Sequence, residues 1–527
     1  MNKFIPSFLI VLIFISCAKE VEVLDIPLTS KSPEAIEVLA NELFFKKANV
    51  TGRIFNNFVT TALEEALEID PDFVFAKALY SDSGGSLSNN ERRALIESAY
   101  ENRNTVSDIE KTLIEVIYFN TITGNKVQAA QLLDKVISEN PQYYYLRVFN
   151  GVFQNLVMQN PKNAQANWQE ALKINPDANI AKLLLAQLHF VTTPDFILLD
   201  NSEIDLEYAI SMIKQVENSQ PKNFTPQRLL GNIYRLKGDF DLSLESYQKA
   251  MTLIEDKKGR GNSTLYLVSG HVYLFKENYE KAREYYKKSI ETFSMPWNEI
   301  NILAWSSNSY LYEKKYDQAI IAINEMEKLV ADYEIDSLTR SNLMFRCAYE
   351  KFIAYGHSQM KEETQQVYTE MKKLNSERKS LRLANIKSES EKRNIELETE
   401  LNEEFFQIWY YILFGEYQLA RTSLNNYSLL SSEFLTYDSK AMVNFYKLSG
   451  YLNLMEGNVN QSISFYEQIP KELLEGDNYH LYFYALAKKA NGNTKESDEL
   501  LNYLANYNFA GWENSIIRPL AVQQIKG

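Results

Sequence analysis

The sequence predicts an all-α protein, a solenoid of short helix–turn–helix units stacked side by side. Three observations carry this expectation. The 527 residues include only 18 Gly and 13 Pro, too few for the many tight turns of a β-rich chain of this length. Leu, Ala, Glu and Lys, all good helix formers, dominate the composition. Small and aromatic residues recur with a period of about 34 residues, the length of one helix pair with its turns. A chain this long exceeds one ordinary core, so it divides into domains or extends as an array.

Residues 1–16 read as an export signal. Lys3 gives the positive start, and residues 8–15 are an unbroken apolar run, too short to cross a bilayer, which takes about 20 apolar residues. The run ends in Phe14-Ile15-Ser16-Cys17. This resembles the lipobox of bacterial lipoproteins, with Phe14 where Leu or Val is usual. The resemblance implies a diacylglyceryl group on Cys17 and membrane attachment through several acyl chains. It also implies a place in the bacterial cell envelope as an outer-membrane lipoprotein, facing the periplasm or the exterior. An ordinary signal peptide cleaved nearby is the alternative. Residues 17–32 contain Pro27 and no helical period, as a tether does. No later segment approaches transmembrane length.

Residues 33–222 form an N-terminal array marked by proline. Ala66, Val136, Ala171 and Val216 stand five residues before Pro71, Pro141, Pro176 and Pro221, and Gly124-Asn125 with Ala129 marks a turn. Residues 81–86 are a Ser/Gly loop. Ser88 with Glu91, and Ser107 with Glu110, then have the spacing of capping boxes. Residues 192–205 insert a Pro-containing loop placed to cover one face of the array.

The period is clearest in residues 223–374. Within 224–257, Leu230-Gly231 and Tyr234 are followed by Gly238-Asp239-Phe240, Ser243, Tyr247 and Ala250. The pattern returns with Gly270, Tyr273, Tyr279, Ala282 and Tyr286, and again with Ser307, Tyr310, Tyr316 and Ala319. Residues 401–527 hold further copies: Tyr411, Gly415-Glu416-Tyr417 and Ala420; Gly450, Gly457-Asn458, Ser462 and Tyr466; Ala485, Gly492-Asn493, Ser497 and Leu501. Each position has a physical reason. Gly past a helix end adopts positive φ at little cost, and Asp or Asn after it starts the next helix. Gly231, Gly270 and Gly450 let paired helices approach closely, and Tyr234 and Tyr247 fill the space between them. Proline suits the first turn of a following helix.

This pattern resembles the tetratricopeptide repeat, which implies a helix-turn-helix solenoid because a lone unit cannot bury its apolar face. Residues 375–400 interrupt it. Arg378, Lys379, Arg382, Lys387, Lys392 and Arg393 precede Glu396, Glu398 and Glu400, reading as a solvated charged helix that joins two arrays.

Little suggests chemistry. Net charge is −14 and the isoelectric point near 5.1, which argues against nucleic acid as a partner. His189, His271, His357 and His480 are scattered, without metal-ligand spacing. No phosphate-binding or nucleophile motif occurs, so neither catalysis, cofactor nor metal is expected. Cys347 sits in the apolar stretch 343–349 and reads as a buried core residue.

In tetratricopeptide proteins the first helix of each repeat lines the concave face. The resemblance therefore implies a partner-binding surface of Arg228, Asn232, Arg235, His271, Asn301, Asn308 and Tyr312. Arg228 with Asn232 resembles half of the clamp by which some family members grip a terminal carboxylate, but Val268, Asn301 and Trp305 replace the rest. The expected function is a membrane-anchored scaffold that binds a protein or peptide in the cell envelope. Carbohydrate capture, as in SusD-like lipoproteins, and outer-membrane assembly are the alternatives; only 5 Trp and repeats along nearly the whole chain weigh against the first.

Overall fold

The structure, a computed structural model, describes residues 26–43, 57–82, 87–191, 196–384, 386 and 388–526. Residues 1–16, read above as an export signal, Cys17 and Gly84-Gly85 lie outside them. Among the described residues there are twenty-six α-helices, one 3₁₀ turn and no strand.

Consecutive helices pack on one another, and first helices of successive pairs also touch: Thr225–Lys237 on Arg260–Phe275, Pro296–Tyr312 on Ser337–His357, and the latter on Glu389–Leu413. That second set of contacts is what stacks pairs into a solenoid. The turns follow the sequence. Gly238 has φ +82°, ends Thr225–Lys237, and lets Asp239 precede the next helix. Gly124, Gly415, Gly457 and Gly492 do the same. At the corresponding turns of other pairs the left-handed position is held by Gln159, Glu277, Lys314 and Gln359. Both capping boxes form, with Glu91 N–H donating to Ser88 Oγ and Glu110 N–H to Ser107 Oγ, each at 3.3 Å.

Close approach within pairs rests on small residues facing large rings. A Cβ at Gly231 would lie 2.4 Å from Tyr247 Cε1, one at Gly270 2.5 Å from Tyr286 Cε1, and one at Gly450 2.7 Å from Tyr466 Cε2. Gly151 and Trp168 form the same arrangement in the N-terminal array, where the Trp indole N–H donates to the Val148 carbonyl at 3.1 Å.

Residues 375–400 differ from a single connecting helix. They span the end of Lys361–Leu383 and the start of Glu389–Leu413, which lie side by side and antiparallel: Arg382 pairs with Glu398 at 2.8 Å, and Asn375 donates to the Thr399 carbonyl at 3.1 Å. Cations at the end of one helix and carboxylates at the start of the next therefore meet across the hairpin, and the stacking continues through it. Residues 26–32 are also not free. Thr29 N–H donates at 2.7 Å to Glu110, whose carboxylate is buried, and Lys31 N–H donates to Asp70 at 3.0 Å. A buried carboxylate needs such donors, and the extended backbone supplies them.

The solenoid winds until distant parts meet. Arg93 pairs with Glu391 at 2.9 Å, Lys126 with Asp438 at 2.6 Å, and Lys471 with Asp200 at 3.1 Å. The inserted loop supports this seam: Phe196 stacks on Trp168, Asn155 holds the Ile197 backbone in both directions, and Asn201 N–H donates to Glu475.

Candidate functional site: the interior cavity

The wound solenoid surrounds an open cavity of about 2690 Å³. Its first wall follows from helical geometry. Positions four and then three residues apart share a face of a helix. Arg228, Asn232 and Arg235 on Thr225–Lys237 have this spacing. So do Thr264, Val268 and His271 on Arg260–Phe275, and Asn301, Trp305 and Asn308 on Pro296–Tyr312. All nine line the cavity. Repetition of the fold thus brings three equivalent faces to one surface.

Second helices brace this wall. Tyr247 Oη donates to Asn232 Oδ1 at 2.7 Å, and Tyr286 Oη meets His271 Nδ1 at 2.9 Å. The His271 ring lies edge-on to Trp305, with centroids 5.2 Å apart. Burial, reinforced by the charge of Arg235, keeps His271 well below its ordinary pKa and therefore neutral.

Arg228 is 6% exposed, and among the described residues no carboxylate pairs with it; its Nε has no hydrogen-bond partner. Burial lowers its pKa to about 10. Asn308 is 2% exposed, and neither end of its amide has a partner. These polar groups are shielded from bulk water yet face the cavity.

Further lining comes from the second half of the chain. Arg378 and Arg382 stand on the hairpin, and Tyr349, Phe405, Phe406 and Trp512 supply rings. Arg378 Nε donates to Asn342 at 2.7 Å, and its guanidinium lies 4.6 Å from the Phe345 ring centre. Glu513 is the notable carboxyl here: burial pushes it up to about 7. Trp297, 52% exposed, also lines the cavity.

Residues 224–294 match the model of the tetratricopeptide repeat family. Those residues are tetratricopeptide repeats. The whole fold is a tetratricopeptide-type solenoid, all-α throughout its described residues. A tetratricopeptide repeat protein from Parabacteroides merdae is similar at 15% identity, covering 57% of this chain and 92% of that one, with a TM-score of 0.31. The human IFIT1 dimer with PPP-AAAA is similar at 13% identity, covering 84% and 95%, with a TM-score of 0.37. No curated protein sequence matches the chain.

Of the concave tetratricopeptide positions singled out in the sequence, Arg228, Asn232, Arg235, His271, Asn301 and Asn308 come together in the first wall. Tyr312 does not line it. Its ring packs edge-on against Phe275 at 6.1 Å, within a cluster that includes Ala510. Arg235 lines the cavity but is also held by the chain itself, its Nε donating to the Asn508 carbonyl at 3.2 Å. The reason is common to both: the C-terminal segment returns across these repeats, and Trp512–Lys526 packs on Pro296–Tyr312. Arg378, Tyr349 and Trp512 were not legible as cavity residues, because their placement depends on how far the solenoid winds. Thr264 and Val268 were legible in principle, from carrying the Arg228 spacing onto the next helix.

Cys347 is a free, fully buried thiol; burial first, then Glu327 and Glu350, pushes it up to about 12, leaving it unreactive. Among the described residues, no group of three or more His, Cys, Asp or Glu is placed to hold a metal ion, and no helix is long and apolar enough to cross a membrane.

Proposed function

We propose that this chain is an interaction scaffold of the bacterial cell envelope, anchored by lipid at Cys17, that takes a polypeptide segment of a partner protein into its interior cavity. The tetratricopeptide fold supports the scaffold role in general. The particular reading rests on one observation: three successive first helices aim the same positions into one cavity, giving a wall of amide, basic and aromatic side chains. Asn side chains offer donors and acceptors to a peptide backbone, and Trp297 and Trp305 offer flat apolar area. Attachment by acyl chains leaves the whole solenoid free to meet its partner.

The test is copurification of the full chain from detergent-solubilised envelopes. One partner accompanies the native chain and is lost from Trp305→Ala combined with Asn301→Ala, and Cys17→Ser moves the chain from the membrane to the soluble fraction. Equal recovery of partners by both chains rules out the cavity as their site. Membrane retention of Cys17→Ser rules out the anchor.

A further inference from the structure

The last helix returns across the array and brings a carboxyl to the cavity without a counter-charge. Trp512–Lys526 packs on Pro296–Tyr312 and on Asn478–Ala490. Where Trp512–Lys526 and Asn478–Ala490 begin, Asn478 Nδ2 donates to Asn514 Oδ1 at 2.8 Å. Glu513, in the first turn of Trp512–Lys526, lines the cavity there. The charges around it balance in pairs: Arg346 is 2.5 Å from Glu350, and Lys447 is 2.9 Å from Asp477. Glu513 itself has no ion pair among the described residues, although Asp477, Arg346 and Glu350 all act on it. The phenols of Tyr312, Tyr349 and Tyr507 also feel its charge, and burial raises all three, so they stay neutral near pH 7. His480, lowered by burial to about 4, is neutral as well. Three carboxylates therefore stand against two cations, and one negative charge is left over.

From this arrangement we infer that Glu513, Asn478 and the adjoining rings form a subsite for a primary alkylammonium group. Glu513 supplies the counter-charge. Asn478, 7% exposed, lines the cavity with an Oδ1 that accepts no hydrogen bond. A buried acceptor left unpaired calls for a donor, which an ammonium N–H supplies. Trp512, Tyr349, Phe406 and Phe405 make a continuous wall of rings beginning next to Glu513, with successive centroids 5.9, 5.6 and 5.4 Å apart, and all four line the cavity. Ring faces attract cations, and their area covers an alkyl stem. The ammonium is carried either by a lysine side chain or by a free small amine. The subsite goes beyond the scaffold reading, since it requires no protein partner.

The same features select against other cations. A hard metal ion needs several oxygen ligands, and among the described residues no group of three or more His, Cys, Asp or Glu is placed to hold one. A quaternary ammonium would lie against the rings but leave Asn478 Oδ1 unpaired, having no N–H to donate. Glu513 also differs from an ordinary first-turn carboxylate, which stands in water and complements the helix dipole. Protein surrounds this one, and burial holds part of it neutral at pH 7. An entering cation draws it into the ionised form.

Calorimetry on the full chain with n-pentylammonium chloride tests this, with n-pentanol as the neutral control. The amine is expected to bind and the alcohol is not. Glu513→Gln lowers the amine's affinity by about tenfold or more. Asn478→Leu weakens it independently and serves if the glutamine variant fails to fold. At pH 7 binding also releases protons from Glu513, so the measured heat changes with the ionisation heat of the buffer in the parent and not in Glu513→Gln. A merely structural glutamate gives no such difference. A capped peptide carrying a single Lys separates the two sources: binding of both peptide and amine assigns the subsite to a lysine side chain, and binding of the amine alone assigns it to a small molecule. The inference is overturned if pentylammonium does not bind, if pentanol binds as well as the amine, or if neither variant changes the amine's affinity. Copurification reads the scaffold separately: loss of every protein partner with amine binding intact overturns that reading and leaves the subsite standing.

Discussion

Gly231 and Tyr247 are in contact across a helix pair so closely that a single added methyl group would lie 2.4 Å from the ring. The ring itself is fully buried and braces Asn232 through its hydroxyl. One glycine therefore fixes both the spacing of a helix pair and the orientation of a cavity residue.

Gly231→Ala is expected to destabilise the chain by about 1–3 kcal/mol, the usual cost of overpacking a filled core. Although alanine is the better helix former by about 1 kcal/mol, the clash outweighs that gain because the ring has no free side to move toward. Urea unfolding followed by circular dichroism measures it. A midpoint equal to or above the parent's would show that the pair can spread.

The turns give the opposite sign. Glu277, Lys314 and Gln359 hold positive φ at positions where other pairs use glycine. Left-handed backbone costs an L-residue about 1–2 kcal/mol, and glycine in exchange loses about 0.5–1 kcal/mol in chain entropy. Each change to glycine should raise stability by about 0.5–1 kcal/mol, read as a higher unfolding midpoint. A lower midpoint for all three would mean that their side chains contribute more than their backbones cost.

Much of this was legible in the sequence, and the reason is local. A turn glycine, a capping box or a small residue facing an aromatic is decided within one helix pair, so Gly238, Ser88 with Glu91, and Gly270 with Tyr286 could be read from spacing alone. Winding is not local. Small rotations between successive pairs accumulate, and only their total brings Arg93 to Glu391 or Asn508 to Arg235. The charged run at 375–400 shows the same limit. Its basic and acidic halves suggested one solvated helix, because neither Gly nor Pro stands in the sequence between Leu383 and Glu389 to mark the break between the two paired helices.

The seam itself is testable through Arg93. Glu391 is 4% exposed, and burial raises its pKa against the pull of Arg93. Arg93→Met strands that carboxylate and should cost about 2–3 kcal/mol, less than a fully buried pair because Arg93 keeps some exposure. Lys173→Met, which breaks an exposed pair with Glu170, should cost under about 0.5 kcal/mol. Comparable small losses from both would mean that the turns of the solenoid are not clasped at this point.

Stability should fall toward acid partly through His357. Burial beside Trp409 and Tyr479 lowers its pKa to about 4, from 6.5. A folded-state pKa below the unfolded one favours the neutral ring, so its contribution is whole above pH 6.5 and is lost as pH falls toward 4. His357→Phe should flatten this limb of the melting-temperature profile. Glu513 has the opposite sign: raised to about 7, it contributes fully below about pH 4.5 and loses that contribution as pH rises through 7. Glu513→Gln should therefore gain on the parent toward pH 8. Profiles parallel to the parent's in both variants would contradict these assignments.

The most direct test of the account places a photo-activated cross-linking residue at Asn301, inside the cavity, and separately at Ile321, which is 58% exposed and does not line it. Irradiation of intact cells should join a partner to the Asn301 chain and not to the Ile321 chain. Capture from Ile321 alone, or equally from both, would contradict a ligand held within the wound solenoid.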